Sequence, residues 1–91
     1  MKEAFENYLA ARGYSKVTPS GHPSTVYDYC RRIDFVAKEE GVSWAGLAER
    51  IADILPQYDV GGCKQELGSR SHNAVICALK RFSDFLSVQK A

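Results

Sequence analysis

The last part of the chain divides cleanly into two sides when it is read as a helix. Residues 68–86 read GSRSHNAVICALKRFSDFL, and at 100° per residue they divide into an apolar and a polar side. The apolar side comprises Val75, Ile76, Leu79, Phe82 and Leu86, widened by Ala78 and Phe85. The polar side comprises Arg70, Asn73, Cys77, Lys80, Arg81 and Asp84. This pattern predicts a final helix that begins at Ser69 or Ser71 and frays after Ser87.

Two earlier segments show the same helical spacing. Residues 2–12 repeat apolar side chains at i, i+3 and i+4, and Gly13 suits a left-handed helix stop. A second helix is predicted to start near Ser24 or Thr25 and to end at Gly41. Between these helices, residues 14–23 are rich in Ser, Thr, Gly and Pro, which is typical of a loop.

A third amphipathic segment begins with Ser43 as its cap. Its apolar spacing continues until Pro56, which lacks an N–H and should stop the helix at residue 54 or 55, before a short turn at residues 57–59. Residues 60–68 contain two adjacent glycines and are predicted to form a flexible connection. Because no segment alternates with period two, the predicted fold is all-α: a compact bundle of four main helices, with room for a fifth short one.

The bulk properties limit the classes of protein that this chain can belong to. Its 91 residues make one domain with a modest core. No apolar run approaches the roughly 20 residues of a membrane span, and the N-terminus lacks an apolar signal core, so a cytoplasmic protein without a membrane partner is expected. The three cysteines lack a Cys-x-x-Cys spacing. They predict small, buried or half-buried thiols in a reducing compartment, with no metal site and no cofactor.

Charge is unevenly distributed along the sequence. The net charge is only +1, so the chain lacks the strongly basic composition that indicates a nucleic-acid-binding protein. Residues 39–59 nevertheless hold five acids against one base, and residues 63–81 hold four bases against one acid. An acidic side and a basic side are therefore expected, an arrangement that permits nucleic-acid binding without requiring it.

Three stretches of the sequence together resemble a known family. The first is the order Ser-Arg-Ser at residues 69–71, followed by Asn73, Ile-Cys-Ala-Leu-Lys at residues 76–80, Phe82 and residues 85–86. The others comprise Phe5, Tyr8, Leu9, Gly13 and Ser15, and then Thr25, Tyr29 and Ile33. Over most of its length the chain resembles the N-terminal core-binding domain of tyrosine recombinases, or phage integrases, a SAM-like helical bundle. It departs from the family pattern in an apparent insertion at residues 17–23, in a longer approach to the last helix, and in having Ser71 where threonine is expected.

The resemblance implies a role in DNA recombination. In that family the helical domain clamps duplex DNA, neighbouring recombinase subunits assemble on the DNA, and a separate C-terminal domain cuts it with a tyrosine. The chain would then be one domain, residues 1–91, excised from a longer recombinase. Matching the family motifs implies DNA contacts from the start of the second helix and from the last helix: Ser24, Thr25, Tyr27, Asp28, Arg31, Ser69, Arg70, Ser71, Asn73, Lys80 and Arg81. Arg70 is the strongest of these candidates.

No catalytic set is apparent in the sequence. Neither histidine is followed by arginine at the third position, so the His-x-x-Arg element of the recombinase catalytic domain is absent, and we expect that the chain alone is not an enzyme. The alternative function comes from a different class, a helical protein–protein interaction module that does not bind DNA. The near-neutral charge and the acidic third helix favour that alternative, which predicts an exposed apolar patch.

Overall fold

Helices account for most of the residues that the structure describes. The structure is a computed structural model, and it describes residues 1–14 and 25–90. The helices are α1 (Lys2–Ala11), α2 (Thr25–Glu40), α3 (Trp44–Glu49), α4 (Ile51–Tyr58), α5 (Gln65–Gly68) and α6 (Arg70–Lys90). These residues contain no strand, which confirms the all-α prediction.

The apolar side of α6 is the centre of the core. Its seven predicted core side chains are all buried, as periodicity requires, and α6 packs against α1, α2, α4 and α5. The ring of Phe5 on α1 lies 5.3 Å from that of Phe82 and 5.4 Å from that of Phe85, centroid to centroid. Trp44 on α3 closes the aromatic cluster at 5.5 Å from Phe82. These rings meet mostly edge-on or tilted, which is the arrangement that their quadrupoles favour.

Asp34 links α1, α2 and α3 by hydrogen bonds on the outside of this core. From α2 it accepts a hydrogen bond from Trp44 Nε1 on α3 at 2.6 Å and one from Lys2 Nζ on α1 at 3.2 Å. The predicted glycine stops are confirmed, because Gly13 and Gly41 follow α1 and α2 with φ of +95° and +68°. Ser43 caps α3 as predicted, accepting a hydrogen bond from the Gly46 N–H.

The prediction of one continuous third helix is wrong. The structure divides it into α3 and α4 at Arg50, where φ is −108° and ψ is 10°. The Arg50 carbonyl already accepts from the N–H groups of Asp53 and Ile54, so a second helix starts there. Apolar spacing continues across this break, which is why a helical wheel does not reveal it.

Pro56 does not end the helix as predicted, because α4 continues to Tyr58. Since α4 starts at Ile51, the proline removes only the bond to the carbonyl of Ala52, an exposed residue that water can reach. Residues 60–68 are likewise more structured than the predicted connection. They contain α5, and the Lys64 N–H donates to the Gln57 carbonyl at 2.7 Å. At the other end, α6 extends beyond the predicted fraying point to Lys90.

Within the described parts of the chain, every helix is too short or too polar to cross a bilayer. The predicted loop at residues 14–23 lies outside the described residues except for Tyr14, whose ring meets that of Tyr29 at 5.4 Å. Among the cysteines, Cys30 is buried in α2, whereas Cys63 and Cys77 are exposed. The expectation of buried or half-buried thiols is therefore wrong for the last two, one in a turn and one on the polar side of α6.

Candidate nucleic-acid interface

Three arginines line one cleft between α2 and α6. Arg31 and Arg32 come from α2, and Arg70 is the first residue of α6. The remaining lining is apolar, Phe35 and Val75, and the cleft has a volume of about 160 Å³. The structure thus brings together two of the predicted DNA contacts, Arg31 and Arg70, and adds Arg32 to them.

Two of the three guanidinium groups lie close to aromatic rings of α2. Arg31 faces outward on α2, and its guanidinium carbon lies 6.0 Å from the centre of the Tyr27 ring one turn earlier. The guanidinium carbon of Arg70 lies 5.7 Å from the centre of the Phe35 ring. At these distances the aromatic faces attract the cations and restrict their orientation without neutralising them.

Arg32 lies on the flank of α2 and is half-buried. Its Nε atom is buried and has no hydrogen-bond partner within the described residues. The sequence reasoning missed Arg32 as a contact, since on the wheel it falls beside the apolar stripe rather than on the outer side. Its one available signal was its position between Arg31 and the stripe, where a long side chain can bury its stem and extend its head.

Ion pairs engage several basic residues outside the cleft, although Arg12, Lys38 and Arg50 also have no carboxylate partner among the described residues. Lys64 pairs with Glu40, Lys80 Nζ lies 3.9 Å from Asp59, and Arg81 lies 3.6 Å from Asp84. By contrast, no described carboxylate pairs with any of the three cleft arginines. The predicted division into an acidic and a basic side is therefore modified, because two bases of residues 63–81 form ion pairs with acids of residues 39–59.

The other predicted contacts lie in different surroundings. Lys80 lies beside the end of α4. Desolvation raises the pKa of Tyr29, and nearby Arg81 acts in the opposite direction. Neither residue lines the arginine cleft. Ser69 is exposed, but its hydroxyl donates to the Glu66 carbonyl at 3.2 Å, so it is engaged in the turn before α6. Tyr27 is 51% exposed, and Asp28 is exposed in the first turn of α2.

Asn73 adopts a conformation that the wheel does not predict. Its φ of +67° is left-handed, although it lies four residues into α6. A left-handed residue interrupts the regular rotation of the helix, so the wheel position of Arg70 relative to later residues is altered. Ser24 lies outside the described residues, as do the side chains of Thr25 and Ser71.

One other polar grouping does not suggest a reactive site. Lys2, Glu6, Cys30 and Asp34 line a cleft between α1 and α2, which Arg31 also borders. Burial raises the pKa of the Cys30 thiol to about 11, which keeps it protonated and weakly nucleophilic near neutral pH. Among residues 1–14 and 25–90, no cluster of His, Cys, Asp and Glu could hold a metal ion.

Comparison with known proteins adds no assignment. No protein-family model matches the chain, and no curated protein or solved structure shows significant similarity to it. The functional argument therefore depends on the residues themselves.

Proposed function

We propose that this chain binds duplex DNA as the core-binding domain of a tyrosine recombinase or phage integrase. In that role it holds duplex arms for strand exchange by a separate catalytic domain and is not itself the enzyme. Two independent supports are the family resemblance of the helical motifs and the arginine cleft between α2 and α6. The cleft carries more weight, because it depends on side-chain placement rather than on common residues at helical spacing.

Three guanidinium groups without described carboxylate partners make the cleft attractive to an anion. Duplex DNA presents a regular array of phosphates, and arginine binds phosphate oxygens through paired N–H groups. The cleft joins the two helices that the resemblance implicates, α2 and α6. Contacts there would fix the duplex against the domain, while exposed Tyr27 and Asn73 lie near enough in sequence to add sugar or base contacts.

The alternative, a protein interaction module, has weaker support. Among the described residues the exposed large apolar side chains belong to four separate parts of the chain: Met1 at the start, Tyr27 on α2, Val60 after α4 and Val88 near the end of α6. Four such side chains are few for a docking surface, which requires apolar side chains that are contiguous in space. Neighbouring recombinase subunits remain part of the proposed function as partners on DNA.

An NMR titration of the labelled domain with a short duplex tests the proposal. We expect shifts at residues 25–35 and 69–75 at low salt, and we expect them to weaken as salt is raised because counterions compete for the phosphates. No shifts at low salt would overturn DNA binding. Shifts on α3 and α4 that follow protein concentration without DNA would support the interaction module instead.

A further inference from the structure

Arg32 places a buried hydrogen-bond donor in the cleft with no acceptor to receive it. Arg32 lines the cleft, its Nε atom is buried, and no described residue accepts a hydrogen bond from it. Buried polar atoms in native proteins are nearly always satisfied, by protein, by water or by a ligand. The Nε–H of Arg32 is therefore left for a bound water or a ligand group to accept.

The shape of the cleft limits what that acceptor can be. About 160 Å³ is less than the several hundred Å³ of a pocket that encloses a drug-sized molecule, so the space suits one small group. The walls are Phe35 and Val75, which offer no polar atoms from their side chains. Hydrogen bonding must therefore come from Arg31, Arg32 and Arg70.

We propose that the cleft is a seat for a single phosphate group, with Arg32 as its innermost donor. Arg70, held over Phe35, approaches from the α6 side, and Arg31 approaches from the rim. Three arginines from two helices line this one cleft, so they can donate from several directions to a tetrahedral group, whereas a carboxylate offers two coplanar oxygens. The identity of the bound phosphate as a phosphodiester of duplex DNA rests on the proposed function, but the seat itself rests on the cleft.

The test follows the arginine Nε–Hε signals of the full chain by NMR while inorganic phosphate is added. Ionic strength is held constant with sodium chloride, and a parallel titration uses acetate. We expect a saturable shift of the Arg32 signal with phosphate and only a small, non-saturating one with acetate. Linear shifts that are the same for phosphate and acetate would overturn the seat.

A charge-preserving variant separates binding geometry from net charge. Arg32→Lys keeps the positive charge but removes Nε and the planar fork, and losing a charged hydrogen bond should weaken phosphate binding by about tenfold. The matched control is Arg50→Lys, an exposed arginine between α3 and α4, for which no change is expected. Helical content by circular dichroism confirms that both variants fold. Wild-type affinity in Arg32→Lys would contradict the assignment of Arg32.

A duplex titration then distinguishes the source of the phosphate. If duplex displaces inorganic phosphate from Arg32, the seat is part of the DNA interface. If duplex shifts Arg31 and Arg70 while phosphate leaves Arg32 unmoved, the seat is wrong and the proposed function stands. If phosphate saturates the seat and duplex has no effect, the seat stands and the DNA-binding proposal fails.

Discussion

At the scale of single residues, one carboxylate joins three parts of the chain. Glu40 at the end of α2 accepts a hydrogen bond from the Tyr58 hydroxyl at 2.9 Å and another from the Lys64 ammonium. The Glu40 side chain is only 7% exposed, and Tyr58 is 1% exposed. A buried charge in this position stabilises the fold only while both donors are present, because an unpaired buried carboxylate would be costly.

Replacing this carboxylate by an amide should destabilise the protein. Glu40→Gln retains the shape but loses the charge that strengthens both hydrogen bonds, so we expect a loss of about 2 kcal/mol in the free energy of unfolding. Urea unfolding followed by circular dichroism measures it. The control is Glu39→Gln, an exposed neighbour of equal charge, which should change stability by less than about 0.5 kcal/mol. Equal effects of the two substitutions would contradict the role of Glu40.

The same carboxylate predicts a pH dependence. The hydrogen bond from Lys64, aided by that from Tyr58, holds the pKa of Glu40 below its usual value of 4.5, against the opposing effect of burial. A carboxyl whose folded pKa is depressed adds stability that is complete above its unfolded pKa and lost as pH falls through the folded value. The difference between wild type and Glu40→Gln should therefore be constant near neutral pH and shrink below pH 4.5. A difference that stays constant into strong acid would refute this.

Single residues also mark where sequence reasoning stopped. Arg31 and Arg70 could be chosen as candidates because they are basic and lie on predicted outer faces. Their proximity could not be foreseen, because it depends on how α2 packs against α6 and on the left-handed Asn73, which a wheel cannot represent. Arg32 was missed for a related reason. Its buried, unpartnered Nε makes it a candidate contact, and a sequence shows exposure better than it shows such an atom.

At the scale of elements, α5 is held against α4 by close backbone packing. Gly68 at the end of α5 approaches the Tyr58 carbonyl so closely that a Cβ would overlap its oxygen. Gly62 makes a similar approach to the carbonyls of Pro56 and Gln57. These glycines are used for close approach, which explains why the segment around the adjacent glycines is structured.

Adding one methyl group at this contact should strongly destabilise the protein. In Gly68→Ala the new Cβ meets backbone, which no side-chain rotation can relieve, so we expect a loss of at least about 3 kcal/mol in the free energy of unfolding. Thermal and urea unfolding measure it. The matched control is Glu66→Ala, an exposed position in the same short helix, where little change is expected. Near-wild-type stability of Gly68→Ala would mean that α5 is not packed as described.

The boundaries of elements were predictable where local chemistry decides them and not where packing does. Gly13 and Gly41 end α1 and α2 because a left-handed residue is needed there, and the sequence shows this directly. The break at Arg50 was not predictable, since the residues on either side keep one apolar spacing while α3 packs on α2 and α4 packs on α6. Pro56 was predicted to stop the helix, but a proline near the end of a short helix removes only one backbone hydrogen bond.

At the scale of the whole molecule, charge placement matters more than net charge. A net charge of +1 gives little general attraction for DNA. Lys64, Lys80 and Arg81 pair with nearby acids, whereas Arg12, Lys38, Arg50 and the three cleft arginines have no described carboxylate partner. Three of these unpaired cations lie together in one cleft. The domain should therefore bind duplex weakly, near the ~10⁻⁴–10⁻⁶ M of non-specific complexes, and through one face.

Fluorescence anisotropy of a labelled duplex over a salt series tests this account most directly, comparing wild type with Arg31→Ala/Arg70→Ala. Because Arg31 and Arg70 share one phosphate seat, removing both should weaken binding and reduce the magnitude of the log–log salt slope by about 0.9, the value for one neutralised phosphate. The control, Arg12→Ala/Arg50→Ala, loses the same charge outside the cleft. Arg12 lies over Tyr8, which packs on Phe85 towards the far end of α6. We expect near-wild-type affinity and slope for the control; equal losses in the two double variants, or none in the first, would contradict the assigned interface.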